Sequence, residues 1–242
     1  MKVLAVVEYD GSKFNGFQRQ KHTSNTIIEH IQKALSSLGI ESKVVGSGRT
    51  DKGVHASFQV VHFLLPSYWQ KKSLLELKNR LNQKLDSIRF KYIKRVSEDF
   101  HAQYSAKTRV YRYIIKTKEP TIFEKNYVSY YPISHIEALN KAIKSFEGEH
   151  NFKLFKKEGS ITRSDIRHIS KTKIIQKNSY IAIYFFSNGY LRNQIRLMIA
   201  AALAVEQGQL SLQELQEQLE GKKRYITKSA LPNGLYLARV FY

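Results

Sequence analysis

The 242-residue sequence predicts an α+β protein built from two similar halves. Three observations carry that prediction. Short β-branched runs alternate with segments whose apolar residues recur at helical spacing, so neither element type dominates. Four Ser/Thr-x-x-Glu pairs stand where helical segments begin: Thr26 with Glu29, Ser73 with Glu76, Ser134 with Glu137 and Ser211 with Glu214. In the first half the pieces run β-α-β-β-α-β, the order of a ferredoxin-like sheet with its helices on one side.

Lys2 to Glu8 is apolar and β-branched and reads as a strand. Thr26 to Leu38 places Ile27, Ile31, Ala34, Leu35 and Leu38 on one helical face, and Gly39 follows as a stop. A short strand at Lys43 to Val45 and a longer one at Ser57 to Leu65 come next. The helix Leu74 to Leu85 and the strand Ile88 to Val96 complete a first domain over 1–105. A second domain, 106–242, opens with the strand Arg109 to Lys116 and a helix from Ile136 to Phe146. The strands Ile166 to Gln176 and Tyr180 to Ser187 flank a turn at Lys177-Asn178-Ser179. A long helix from Leu191 to Glu206 stops at Gly208, Ser211 caps a shorter one, and Gly234 to Phe241 closes the chain as a strand. There is no residue-level repeat, low-complexity tract or Pro-rich linker.

Forty Lys and Arg against 20 Asp and Glu give a formal net charge of +20, a field that captures polyanions. Fifteen Tyr and 13 Phe add flat faces on which unpaired bases stack. The absence of cysteine excludes a disulfide framework, a Cys-ligated zinc and a Cys nucleophile, and agrees with a cytosolic setting. Glu8 and Asp10 come too early for a secretory leader, and the longest apolar run, Leu197 to Val205, is too short to cross a bilayer. The expectation is a soluble, cytoplasmic, nucleic-acid-binding protein.

Three constellations carry chemistry. The first is Gly46-Ser47-Gly48-Arg49-Thr50-Asp51-Lys52-Gly53-Val54-His55-Ala56, a glycine-punctuated turn between apolar segments. Asp51 there is either an ordinary turn-capping Asp or an ionised carboxylate on a rigid loop, able to act as nucleophile or general base. Arg49, two residues away, either holds Asp51 ionised or contacts a phosphate. The second is Arg109-Val110-Tyr111-Arg112-Tyr113, where a strand places Arg109, Tyr111 and Tyr113 on one face and Val110 and Arg112 on the other. A Tyr flanked by arginines suits a base-holding pocket, although strands favour Tyr in any case. The third is Arg192 with Arg196, four apart and so expected on one face of the long helix. The eight histidines form no H-x-x-x-H pair; His62 reads as a core residue and His55 as structural. Gly46-Ser47-Gly48 lacks the Lys-Ser/Thr of a P-loop and the later glycine of a dinucleotide fingerprint, so neither metal nor nucleotide cofactor is indicated.

The Arg49-Thr50-Asp51-Lys52-Gly53-Val54-His55 turn resembles the signature of the TruA family of tRNA pseudouridine synthases. Further stretches match in the family's order: Glu8 to Gln20, Asp99-Phe100-His101-Ala102, Ser105-Ala106, Tyr111-Arg112-Tyr113, Gly148 to Phe152, Leu191 to Arg196 and Gly234-Leu235-Tyr236-Leu237. Lys52, Phe17 and Asn151 stand where Ala, Trp and Asp are usual, and Arg192-Asn193-Gln194 diverges. The resemblance implies a pseudouridine synthase fold, two ferredoxin-like or RRM-like halves with mixed, largely antiparallel sheets flanking a basic cleft. It implies that Asp51 is the essential aspartate, that Tyr111 stacks on the target base, that Arg196 pairs with the aspartate, and that Arg49 helps displace the flipped base. It further implies a homodimer without cofactor, acting on uridines on the 3′ side of the tRNA anticodon stem-loop (tRNA positions 38–40). A non-catalytic RNA-binding protein on the same scaffold, or a synthase with another RNA target, is the alternative; the first of these has no use for Asp51.

Overall fold

The computed structural model describes residues 1–160 and 162–242. The chain forms two compact units, one made of Met1–Lys107 with Tyr236–Tyr242 and the other of Thr108–Leu235.

The first unit contains β1 (Lys2–Tyr9), α1 (Ile27–Ser36), β2 (Val45–Gly46), β3 (His55–Leu64), α2 (Leu74–Asn82) and β4 (Ile88–Arg95). β1 pairs antiparallel with both β3 and β4, and β2 adds antiparallel to β3 through Val45 and His62, which is the ferredoxin-like order 4-1-3-2. Val3, Leu4, Ala5, Val6 and Val7 are all buried, because a central strand is covered on both faces. α1 buries Ile27, Ile28, Ile31, Ala34 and Leu35, the stripe its spacing predicts. Two sequence expectations change here. Thr26 caps α1 without a side-chain bond to the helix amides; its hydroxyl donates to Glu29 Oε2 at 2.5 Å instead. α2 stops at Asn82 and not at Leu85, since the Asn82 amide turns aside to bind both backbone groups of Phe90, at 2.7 and 3.0 Å. The closing strand, Leu235–Phe241, pairs in parallel with β3 (Tyr236 with His55, Leu237 with Ala56). Residues 236–242 therefore fold with the first unit, whereas a division at 105/106 assigns them to the second.

The second unit contains β5 (Thr108–Lys116), β6 (Ser129–Tyr130), α3 (Ile136–Lys144), β7 (Gly148–Asn151), β8 (Ile166–Lys177), β9 (Tyr180–Ser187), α4 (Gln194–Glu206) and α5 (Leu212–Leu219). Its sheet runs β5-β9-β8-β7, antiparallel throughout, with β6 parallel on β5. The β8–β9 turn places Asn178 at φ 52°, a left-handed position that Asn tolerates. Only the last of the four cap motifs forms completely, Ser211 and Glu214 satisfying each other's backbone amides. Ser134 does not cap α3. Its amide and that of His135 donate to Glu206 Oε1 at 2.7 and 2.8 Å, so a distant carboxylate replaces the local cap. Among the described residues, no helix is long and apolar enough to cross a membrane.

Candidate active site

Asp51 lies half-buried on the loop joining β2 to β3, with Arg49 exposed two residues earlier. The loop is anchored from below by Gln59, fully buried on β3. Its amide accepts from Ser47 Oγ at 2.6 Å and donates to the Gly48 carbonyl at 2.8 Å. Beside it, Phe17 N donates to the Thr50 carbonyl at 3.0 Å, and the Thr50 and Tyr9 hydroxyls meet at 2.8 Å. Gly16 sits at φ +108°, where a Cβ would stand 3.0 Å from that same carbonyl, so only glycine lets the two segments touch without strain. The Asp51 carbonyl accepts from Val54 N at 3.1 Å. This main-chain bond helps to close the turn. Behind it, His55 is 1 % exposed, accepts from Gly11 N at Nδ1 (3.0 Å) and stacks on Tyr236 at 4.7 Å. His55 is a structural residue of the loop base. The result is a carboxylate on a loop braced on several sides, the preorganisation a catalytic acid group needs.

In the second unit, β5 directs Arg109, Tyr111 and Tyr113 to one face, as strand alternation predicts, and all three are buried. Arg109 Nη1 donates to the Asn188 carbonyl at 2.6 Å. Tyr111, 7 % exposed, meets Tyr190 edge-to-face at 5.2 Å. Burial, reinforced by Tyr111, pushes the Tyr190 phenol well above its ordinary range. Tyr113 reaches Ser129 Oγ at 2.8 Å and donates to the Leu231 carbonyl at 2.9 Å. Burial raises its phenol too, while the Arg196 cation opposes that rise. Arg196 lies in the first turn of α4, where a cation opposes the helix dipole. It is clamped to the chain at Ala230: Arg196 Nε donates to the Ala230 carbonyl at 2.7 Å, and Ala230 N donates to the Arg196 carbonyl at 3.0 Å. Arg192 does not share its helical face. Asn193 adopts φ 67° and α4 begins only at Gln194, whose side-chain carbonyl takes the Leu191 amide at 2.7 Å. The divergent Arg192-Asn193-Gln194 stretch is a bent lead-in.

The structure thus keeps Asp51 with Arg49 on one loop of the first unit, and Tyr111 with Arg196 in the second. Two residues of this region carry no local sequence signal: Gln59, in a stretch of β3 buried on both faces so that no alternation sets it apart, and Tyr190.

Residues 5–105 and 142–242 match the family model described as tRNA pseudouridine synthase, and the chain belongs to that family of isomerases, which convert uridine to pseudouridine. Arg49, Asp51 and Arg196 fall within the matched spans, and Tyr111 in the interval between them. The chain is 39 % identical over 241 residues to tRNA pseudouridine synthase A of Wolinella succinogenes, covering 99 % of this chain and 94 % of that one. It is 39 % identical over 242 residues to the Helicobacter hepaticus protein of the same name (98 % of each chain) and 36 % over 248 to that of Campylobacter jejuni (100 % of each).

Proposed function

We propose that the protein isomerises uridines on the 3′ side of the tRNA anticodon stem-loop, with Asp51 as the group that acts on the target nucleotide. Full-length similarity to proteins named tRNA pseudouridine synthase A supports tRNA as the substrate, the TruA-like motifs support the anticodon arm as the target, and the braced Asp51 loop supports the choice of residue. The reaction breaks the N1–C1′ bond, turns the base and joins C5 to C1′; C5 loses its proton and N1 gains one. Nothing is oxidised or reduced. The target base first leaves its stack, at a cost of a few kcal/mol. In this reading Arg49 fills the vacated space, Tyr111 holds the flipped ring, and Arg196 keeps the Asp51 carboxylate ionised and aimed. Asp51 then adds to C1′, adds to the pyrimidine ring or removes a ribose proton; all three routes need its carboxylate.

We also propose that the protein acts in the cytoplasm and as a homodimer, the state implied by its TruA-like motifs; sedimentation at micromolar concentration checks the dimer. The substrate assignment is tested by treating unmodified tRNA with the protein and mapping pseudouridine by carbodiimide adducts and reverse transcription. Stops at positions 38–40 support it, and stops confined to another arm contradict it.

A further inference from the structure

The buried face of the second unit's sheet carries Tyr111, Tyr113, Ile181, Ile183 and Phe185, and α3 and α4 belong to that side. The opposite face has a different composition. Register fixes it strand by strand: Lys171 stands opposite Phe186, Lys173 opposite Tyr184, and Lys177 opposite Tyr180. Directly opposed residues of antiparallel strands point the same way, so three lysines and three aromatic rings share this face. The lysines are all exposed, Tyr180 is 36 % exposed, and Tyr184 and Phe186 are half-buried. None of the three lysines makes an ion pair among the described residues. The acid at that end, Glu124, is already held by Lys116 and Tyr180.

This arrangement differs from a merely solvated strand. Lysines two residues apart on β8 are about 6.8 Å apart, close to the step between consecutive phosphates along a nucleic-acid strand. The rings opposite them on β9 supply flat surface against sugar or base. Two copies of this face would set lysine against lysine, so its charge disfavours a second copy and favours a polyanion.

We propose that the open face of the β9–β8 ladder is an RNA-docking surface, in which Lys171, Lys173 and Lys177 engage phosphates of the substrate tRNA away from the target uridine. The proposal rests on the reading of the chain as a tRNA-modifying enzyme. Tritium release from 5-tritiated tRNA by the unsubstituted protein decides that reading independently of this face.

The test compares two triple variants of equal charge: Lys171→Gln/Lys173→Gln/Lys177→Gln, and Lys71→Gln/Lys84→Gln/Lys141→Gln on other exposed surface. Filter binding of tRNA across a KCl series gives Kd and its salt slope. The first triple should raise Kd about tenfold and lower the slope by about 2.7, at roughly 0.9 for each phosphate no longer neutralised. The second should change Kd by less than about threefold. Because the chain has no cysteine, Lys173→Cys takes a single photo-crosslinking label, which should join to bound tRNA. Equal losses in both triples would reduce the effect to net charge and overturn the site. So would an unchanged Kd in the first triple, or a label that crosslinks only to a second copy of the protein.

Discussion

Gly11→Ala tests whether the Asp51 loop works through its bracing. Gly11 N donates to His55 Nδ1 at 3.0 Å, and a Cβ built on Gly11 would lie 2.0 Å from the Val54 carbonyl oxygen and 2.4 Å from its carbon. Both obstructing atoms are backbone, so no side chain can swing aside. A carbon–oxygen contact needs at least about 3 Å, which forces Val54 and Gly11 apart by about 1 Å. Val54 N is bonded to the Asp51 carbonyl at 3.1 Å, so the displacement enters the Asp51 turn directly. A misplacement of about 1 Å costs on the order of 100-fold in rate, and overpacking costs about 1–3 kcal/mol of stability. For a protein of this size that lowers Tm by about 2–4 °C per kcal/mol. Single-turnover tritium release should therefore slow about 100-fold while tRNA Kd stays within about threefold. Gly208→Ala separates stability from catalysis: φ there is +68° but nothing lies within 4 Å of the added carbon. It should lose about 1 kcal/mol and keep its rate. A Gly11→Ala protein whose rate is within twofold of wild type would refute the argument that the loop's position depends on this contact.

Two further outcomes follow from buried groups. His62 is 8 % exposed and accepts from Ala102 N at 3.1 Å; burial first, then the His101 and Lys2 charges, lower its pKa from 6.5 to about 4. The native state thus refuses a proton that the unfolded chain binds, so this contribution is complete above pH 6.5 and lost as pH falls towards 4, amounting to at most about 3 kcal/mol. Urea unfolding of His62→Gln, which keeps an acceptor without a titration, should show a flatter pH dependence between 6.5 and 4; identical slopes would remove His62 as the cause. Tyr111→Phe keeps the ring against Tyr190 and should retain measurable turnover. Complete loss of turnover would give the Tyr111 hydroxyl a chemical task that stacking does not include.

Local patterns made much of this fold legible in the sequence. The β-branched run at 2–8, the apolar stripe of α1 and the alternation in β5 each express burial that a single element enforces on its own residues. The Asp51 turn was equally legible, because glycines crowd where backbone approaches backbone. What escaped was set by distant partners. Glu206 takes the cap at Ser134 and His135 from 72 and 71 residues away, and no i+3 pattern reveals it. Asn193 breaks a helix that the neighbouring apolar residues favour, and the closing strand joins β3 by a pairing that only folding creates. β6 and β7 are two and four residues long, too short for a period to show. At the site, the sequence displayed Asp51 and Arg49 together but gave no sign that Gln59, Gly16 and Gly11 hold them.

The most direct measurement is tritium release from unmodified tRNA carrying 5-tritiated uridine, by wild type and by Asp51→Asn, alongside tRNA binding by both. C5 must surrender its hydrogen for the new C–C bond to persist, so release reports the isomerisation itself. Wild type should release tritium and Asp51→Asn none above background, with affinities within a few-fold. Undiminished release by Asp51→Asn would contradict the role assigned to this carboxylate.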